Sequence, residues 1–198
     1  MQAGQEHPFE LEVNAPYSLN YLIFLQNVFL NQTGHRNGQL LFPYLDSSQW
    51  GLLDEENFNR AFKEVWEEMI QRSLDRRFDH NGILEEQKLL FLKLFEGQAN
   101  HGYIESSKAF HAWWDGIAGK IAVERVFDDD SMNKIYLELA SSVEPSTENN
   151  RLAIDLVYDR PVLSEHCKAP WYIVLPIEDI FLKNRRREVT ESMRLACR

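Results

Sequence analysis

Cysteine is scarce in this chain, with Cys167 and Cys197 the two among 198 residues. Two cysteines do not make a disulfide framework, and in a chain of this size they point to a reducing compartment. Long apolar runs are also missing. The best, Leu19 to Leu30, is interrupted by Asn20, Gln26 and Asn27 and is too short to cross a bilayer. It does not read as a signal peptide, because Glu6, Glu10 and Glu12 stand where positive charge belongs and no small-residue cleavage site follows. A cytoplasmic location is therefore expected. The chain has no internal repeat and no low-complexity stretch. It also has no Gly-rich phosphate loop, no Gly-x-Ser-x-Gly, no Cys-x-x-Cys and no His-Glu-x-x-His, which weighs against the common enzyme classes.

Positive charge is the minority sign: 21 Lys and Arg stand against 31 Asp and Glu, for a formal net charge of −10. Nucleic acid and anionic membrane are disfavoured as partners, since proteins neutralise phosphates with Lys and Arg. A basic protein partner fits the balance. Composition does not suggest disorder, with 44% hydrophobic and 12% aromatic residues.

The expected fold class is α+β, as one domain over 1–198, with a helical N-terminal two-thirds packed on a small, mainly antiparallel C-terminal sheet of at least three strands. Residues 1–17 read as an extended lead-in in which Phe9, Leu11 and Val13 alternate with Glu10 and Glu12, as in a short edge strand. Residues 18–127 read as helical. Ser18 is the expected N-cap of a buried helix ending at Gly34. Leu40 to Leu53 is an irregular aromatic connection. Asp54 caps a helix whose stripe of Phe58, Phe62, Val65, Trp66, Met69, Ile70 and Leu74 belongs in a core. Phe78-Asp-His-Asn-Gly82 reads as a helix-to-helix turn. It is not a calcium loop, because Arg77 and Lys88 would occupy its first and last ligand positions. His101-Gly-Tyr marks a break before a helix from Lys108 to Phe127, whose Trp113 and Trp114 should cover the sheet. Gly116 and Gly119 are expected where that helix approaches it closely.

Residues 134–180 carry the expected sheet, with strands at Lys134–Ala140, Arg151–Tyr158 and Trp171–Ile177. In the first two, apolar residues of one parity alternate with polar ones; the third is apolar at both parities, as a strand covered on both faces would be. Residues 183–198 form a basic C-terminal segment ending in a short helix. If the first two strands make an antiparallel hairpin with aligned apolar faces, Leu139 pairs with Ile154 and Glu138 stands opposite Asp155. Two facing carboxylates repel unless a divalent cation, a shared proton or a basic neighbour compensates. Glu138 and Asp155 are thus the candidate catalytic and metal-binding residues, with Mg2+ or Mn2+ the implied cofactor.

The order of a helix, then Ile135-Tyr-Leu-Glu138-Leu-Ala140, the Asp155 strand and Trp171-Tyr-Ile-Val-Leu-Pro176 resembles the core of PD-(D/E)xK nucleases. The resemblance spans about a third of the chain and implies metal-dependent phosphodiester hydrolysis. Ala140 stands at the family's lysine position, and no Pro-Asp precedes it.

His111 and Asp115 lie four apart on one helix, a spacing that can share a metal. His166 and Cys167 are adjacent, without a further partner for thiol chemistry. The leading functional expectation is a non-catalytic binding protein, of the regulator, antitoxin or toxin-immunity type. It would grip a protein partner with an acidic, aromatic-rich surface and need no cofactor. The alternative is a metal-dependent hydrolase or degenerate nuclease built on Glu138 and Asp155.

Overall fold

The computed structural model describes residues 9–34, 40–75, 87–98, 100–116, 119, 121, 123, 125, 130–143, 150–165, 167–182 and 184–197. The turn expected at 78–82 and His166 lie outside them. Helix and strand are mixed. Leu11 and Val13 alternate with acids in β1 (Glu10–Asn14), and the predominantly apolar β2 (Arg151–Val157) and β4 (Tyr172–Pro176) follow late in the chain, with β3 (Lys168–Ala169) between them. The sheet order is β1-β2-β4-β3.

The expectation of a mainly antiparallel sheet is corrected. β1 pairs with β2 in parallel, from Glu10 with Arg151 to Asn14 with Asp155, and β2 pairs with β4 in parallel. Only the short β3 runs antiparallel, beside β4. The N-terminal strand occupies the place that the expected hairpin had given to Lys134–Ala140. Every residue of β4 is buried, as its two-faced apolar composition requires.

Lys134–Ala140 is not a strand but lies within a helix, and the physical reason is legible in its burial. Met132, Ile135 and Leu139 are buried at helical spacing, whereas Leu137 is 52% exposed. A strand would have put Ile135, Leu137 and Leu139 on one face. Leu, Glu, Lys, Met and Ala also favour helix intrinsically. Tyr136 on the same helix donates a hydrogen bond to the Phe9 carbonyl at 3.1 Å, tying the helix to the approach of β1.

Among the described residues the α-helices are α1 (Tyr17–Thr33), α2 (Glu55–Leu74), α3 (Lys88–Phe91), α4 (Asn100–Trp114), α5 (Asp130–Ser142), α6 (Ile177–Phe181) and α7 (Arg186–Ala196). α1 is buried from Tyr17 to Leu30. Ser18 lies inside its first turn rather than capping it; Pro16 is the N-cap, and Gly34 closes the other end at φ 69°, in the left-handed region. Asp54 caps α2 by accepting from the Asn57 amide, and the expected stripe is buried from Phe58 to Ile70. Phe58 stacks on Phe29 of α1 with centroids 3.9 Å apart.

Gly102 is no helix break. It lies within α4, where a Cβ would stand 1.8 Å from the Trp50 carbonyl oxygen, so the glycine permits that close approach. Gly119 crowds the backbone of Trp114 rather than the sheet. α4 packs on α1, and α1 packs on β2. Trp113 meets Tyr158, just past β2, at 4.5 Å.

At the carboxyl end of the sheet Arg160 bonds Glu178 and Asp179, and Arg185 bonds the same two carboxylates. This ties the segment after β2 to α6 and to the start of α7. The Arg160 bond is the main cause holding the Glu178 carboxyl below the usual glutamate range.

Two predictions follow from these contacts. Leu139→Ala should cost about 2–5 kcal/mol, whereas Leu137→Ser should change stability by no more than about 0.5 kcal/mol, both read by denaturant unfolding. Equal losses would restore the strand. Because the folded-state pKa of Glu178 is depressed, its ionic contribution is present above the ordinary glutamate pKa and is lost as pH falls through the lower folded value. The stability gap between the natural chain and Glu178→Gln should therefore narrow on acidification, and a gap that widened would contradict the ion-pair cause.

Candidate functional site

The structure does not bring Glu138 and Asp155 together as facing residues of a ladder. Glu138 is exposed on α5, with Arg194 of α7 at 3.7 Å. Asp155 is 5% exposed in β2, flanked by Asn14 and Val174. Its carboxylate accepts a hydrogen bond from the Tyr172 hydroxyl at 2.7 Å. Burial, followed by the adjacent Asp155 charge, pushes the Tyr172 hydroxyl far above its ordinary range, so it stays a proton donor. The strand order that carried the nuclease resemblance is absent with the Lys134–Ala140 strand. Among the described residues no group of three or more His, Cys, Asp or Glu is placed to hold a metal ion.

His111 and Asp115 do meet, with Nδ1 and Oδ2 at 3.3 Å. The other Asp115 oxygen accepts from the Tyr17 hydroxyl at 2.6 Å, and the His111 ring lies 5.7 Å from that of Tyr17. Tyr17 was not foreseen as a member of this cluster, which joins the start of α1 to the end of α4. Burial raises the Cys167 thiol above its ordinary range and pushes Cys197 up to about 11. Both shifts disfavour the thiolate, the form on which cysteine reactivity depends.

A different surface stands out at the connection after α1. Leu40, Phe42, Tyr44 and Leu45 are all exposed, Phe42 at 43% and Tyr44 at 63%. Four large apolar side chains within six residues would ordinarily fold inward, since each gains about 1.5–3 kcal/mol by full burial. Here the backbone is held from beneath. The Asn31 side chain donates to the Leu41 carbonyl at 2.8 Å and accepts from the Leu41 amide at 2.7 Å. Asn27 donates to the Phe42 carbonyl at 2.9 Å, and Gln32 bonds Ser47. The side chains are presented outward because the main chain is fixed.

Under the loop lies an aromatic support. Phe42 meets Tyr44 at 5.7 Å and Trp113 at 5.6 Å, both edge-on. Carboxylates border it. Asp46 is exposed, its carboxyl held below the ordinary range by hydrogen bonds from Ser48, and Asp159 accepts from the same Asn27 amide that holds Phe42. The sequence signal for this surface was the run of apolar residues from Leu40 to Leu45 with neither helical nor strand periodicity.

Removing the clamp should cost stability, whereas removing the display should leave it nearly unchanged. Asn31→Ala leaves both Leu41 backbone groups without that partner and should cost about 1–3 kcal/mol. Tyr44→Ser should stay within about 0.5 kcal/mol of the natural chain. Denaturant titration of the two variants checks both, and a large loss at Tyr44 would place its side chain in the core. No protein-family model, curated protein or solved structure matches the chain, so any reading of what it does rests on its own residues.

Proposed function

We propose that the chain is a non-catalytic binding protein that takes a basic protein partner on its Leu40–Leu45 surface. The observation that carries this reading is the clamped loop: its apolar side chains are exposed while its backbone is bonded to Asn27 and Asn31. Contiguous exposed apolar side chains on a fixed backbone suit recognition, because little ordering entropy is lost on docking. Tyr44 and Phe42 are of the aromatic class that anchors interfaces.

Charge supports the choice of a basic partner. The exposed face of α2 carries Glu55, Glu56, Glu64, Glu67 and Glu68 against Arg60 and Lys63, and the chain as a whole stands at −10. Such a field steers a positively charged protein towards the surface and repels phosphate backbones. The regulator, antitoxin or immunity type and a cytoplasmic location belong to this proposal. Among the described residues no helix is long and apolar enough to cross a membrane. The hydrolase reading finds less support, since Asp155 is engaged with Tyr172 and Glu138 lies on a separate helix.

The test is co-purification from the native host, followed by titration of the purified partner. Phe42→Ala and Tyr44→Ala should each raise Kd by about 30-fold, corresponding to about 2 kcal/mol. The affinity should also fall as salt rises. A partner bound equally well by both variants would place the interface elsewhere.

A further inference from the structure

At the carboxyl end of β4 lies a cleft of about 380 Å³, remote in sequence from the Leu40–Leu45 loop. Its volume falls in the range of small-molecule sites, roughly 300–1,000 Å³. Its position is suggestive too, because ligands of open sheets bind beyond the carboxyl ends of parallel strands. Arg160, three residues past β2, and Arg185, just before α7, both line it. Leu175 and Val189 supply an apolar wall, while Asp179, Glu188 and Ser192 supply polar groups.

The two guanidinium groups are oriented but not exhausted. Arg160 uses Nε on Glu178 and Nη2 on Asp179; Arg185 uses Nη1 on both. Nη1 of Arg160 and Nη2 of Arg185 have no bonding partner among the described residues. A guanidinium held by carboxylates on one edge keeps its remaining donors in a fixed fork, the geometry that recognises an incoming carboxylate. Glu188 is exposed at the cleft and makes no hydrogen bond or ion pair among the described residues.

The charge pattern narrows the ligand class. A simple anion would meet Asp179 and Glu188 as well as the two arginines, and a simple cation would meet the arginines with Asp179 already engaged by them. A ligand bearing both signs satisfies each end. Its carboxylate takes the free guanidinium donors and its ammonium takes the uncompensated Glu188. An aliphatic side chain can then lie on Leu175 and Val189. We infer that the cleft binds a small zwitterion of the α-amino-acid class with an apolar side chain.

The experiment is isothermal titration of the full chain with leucine, beside three controls: 4-methylpentanoate, which lacks the amine; isopentylamine, which lacks the carboxylate; and inorganic phosphate. Leucine should bind saturably, and each control should bind at least about tenfold more weakly, since losing either charged contact forfeits about 1.4 kcal/mol or more. Glu188→Gln, a substitution at an exposed side chain, should weaken leucine at least tenfold while leaving the melting temperature of the unliganded protein unchanged. No saturable heat with leucine up to tens of millimolar would overturn the inference. So would 4-methylpentanoate, isopentylamine or phosphate binding as tightly as leucine, or leucine binding unaltered in Glu188→Gln.

Discussion

The structure depends on a helix that is buried on every side yet carries amides. A helix surrounded by protein has no solvent to satisfy a polar side chain, and an unpaired buried amide costs several kcal/mol in an apolar setting. In α1 each such group is bonded to backbone groups elsewhere in the chain. Asn20 donates to the Pro16 and Leu156 carbonyls and accepts from the Tyr158 amide. Gln26 takes the Val162 and Leu163 amides and gives to the Arg160 carbonyl. Asn27 and Asn31 do the same for residues 41 and 42. One helix therefore sets the course of two distant connections. The apolar loop and the segment leading to the cleft both receive their shape from α1.

Much of the fold is legible in the sequence. The stripe of α2 follows from helical spacing alone, because a run from Phe58 to Ile70 at that period has one face to bury. β4 was readable as a strand covered on both faces. β1 could be read from its alternation of acids with Leu11 and Val13. The breaks at Asn20, Gln26 and Asn27 were visible as exceptions in an apolar run, but not their partners. Those partners lie as far as 138 positions away in the chain, and hydrogen-bond geometry over that span leaves no local signature.

The misreading at 134–140 has a definite cause. Apolar residues at 135, 137 and 139 match a period of two, but 132, 135, 136 and 139 match a helix as well, and short apolar stretches satisfy both. Burial decided between them: Leu137 faces outward and Met132 inward. Once that segment is helical, Glu138 leaves the sheet and the candidate acidic pair loses its geometry. Asp155 does lie on a strand, as a buried carboxylate, and its partner is the Tyr172 hydroxyl of the neighbouring β4. In the basic C-terminal segment Arg185 pairs with Glu178 and Asp179, and Arg194 with Glu138 and Glu191, so part of its positive charge is matched locally by carboxylates.

The parallel pairing of β1 with β2 joins residue 10 to residue 151, with α1, α2, α4 and α5 in the intervening chain. On a ribosome, β1 emerges well ahead of β2 and has no mate until nearly all of the intervening chain has been made. Closure over so long a span is entropically slow, and contacts of high sequence separation delay folding. During that interval the hydrogen-bonding edge of β1 stays open, an invitation to pair with another nascent chain. Glu10 and Glu12, alternating along this short strand, place like charges wherever two such edges would meet. In the finished sheet Arg151, on the strand with which β1 does pair, stands 2.8 Å from Glu12 and 3.9 Å from Glu10, so the two acids meet a cation there in place of like charge.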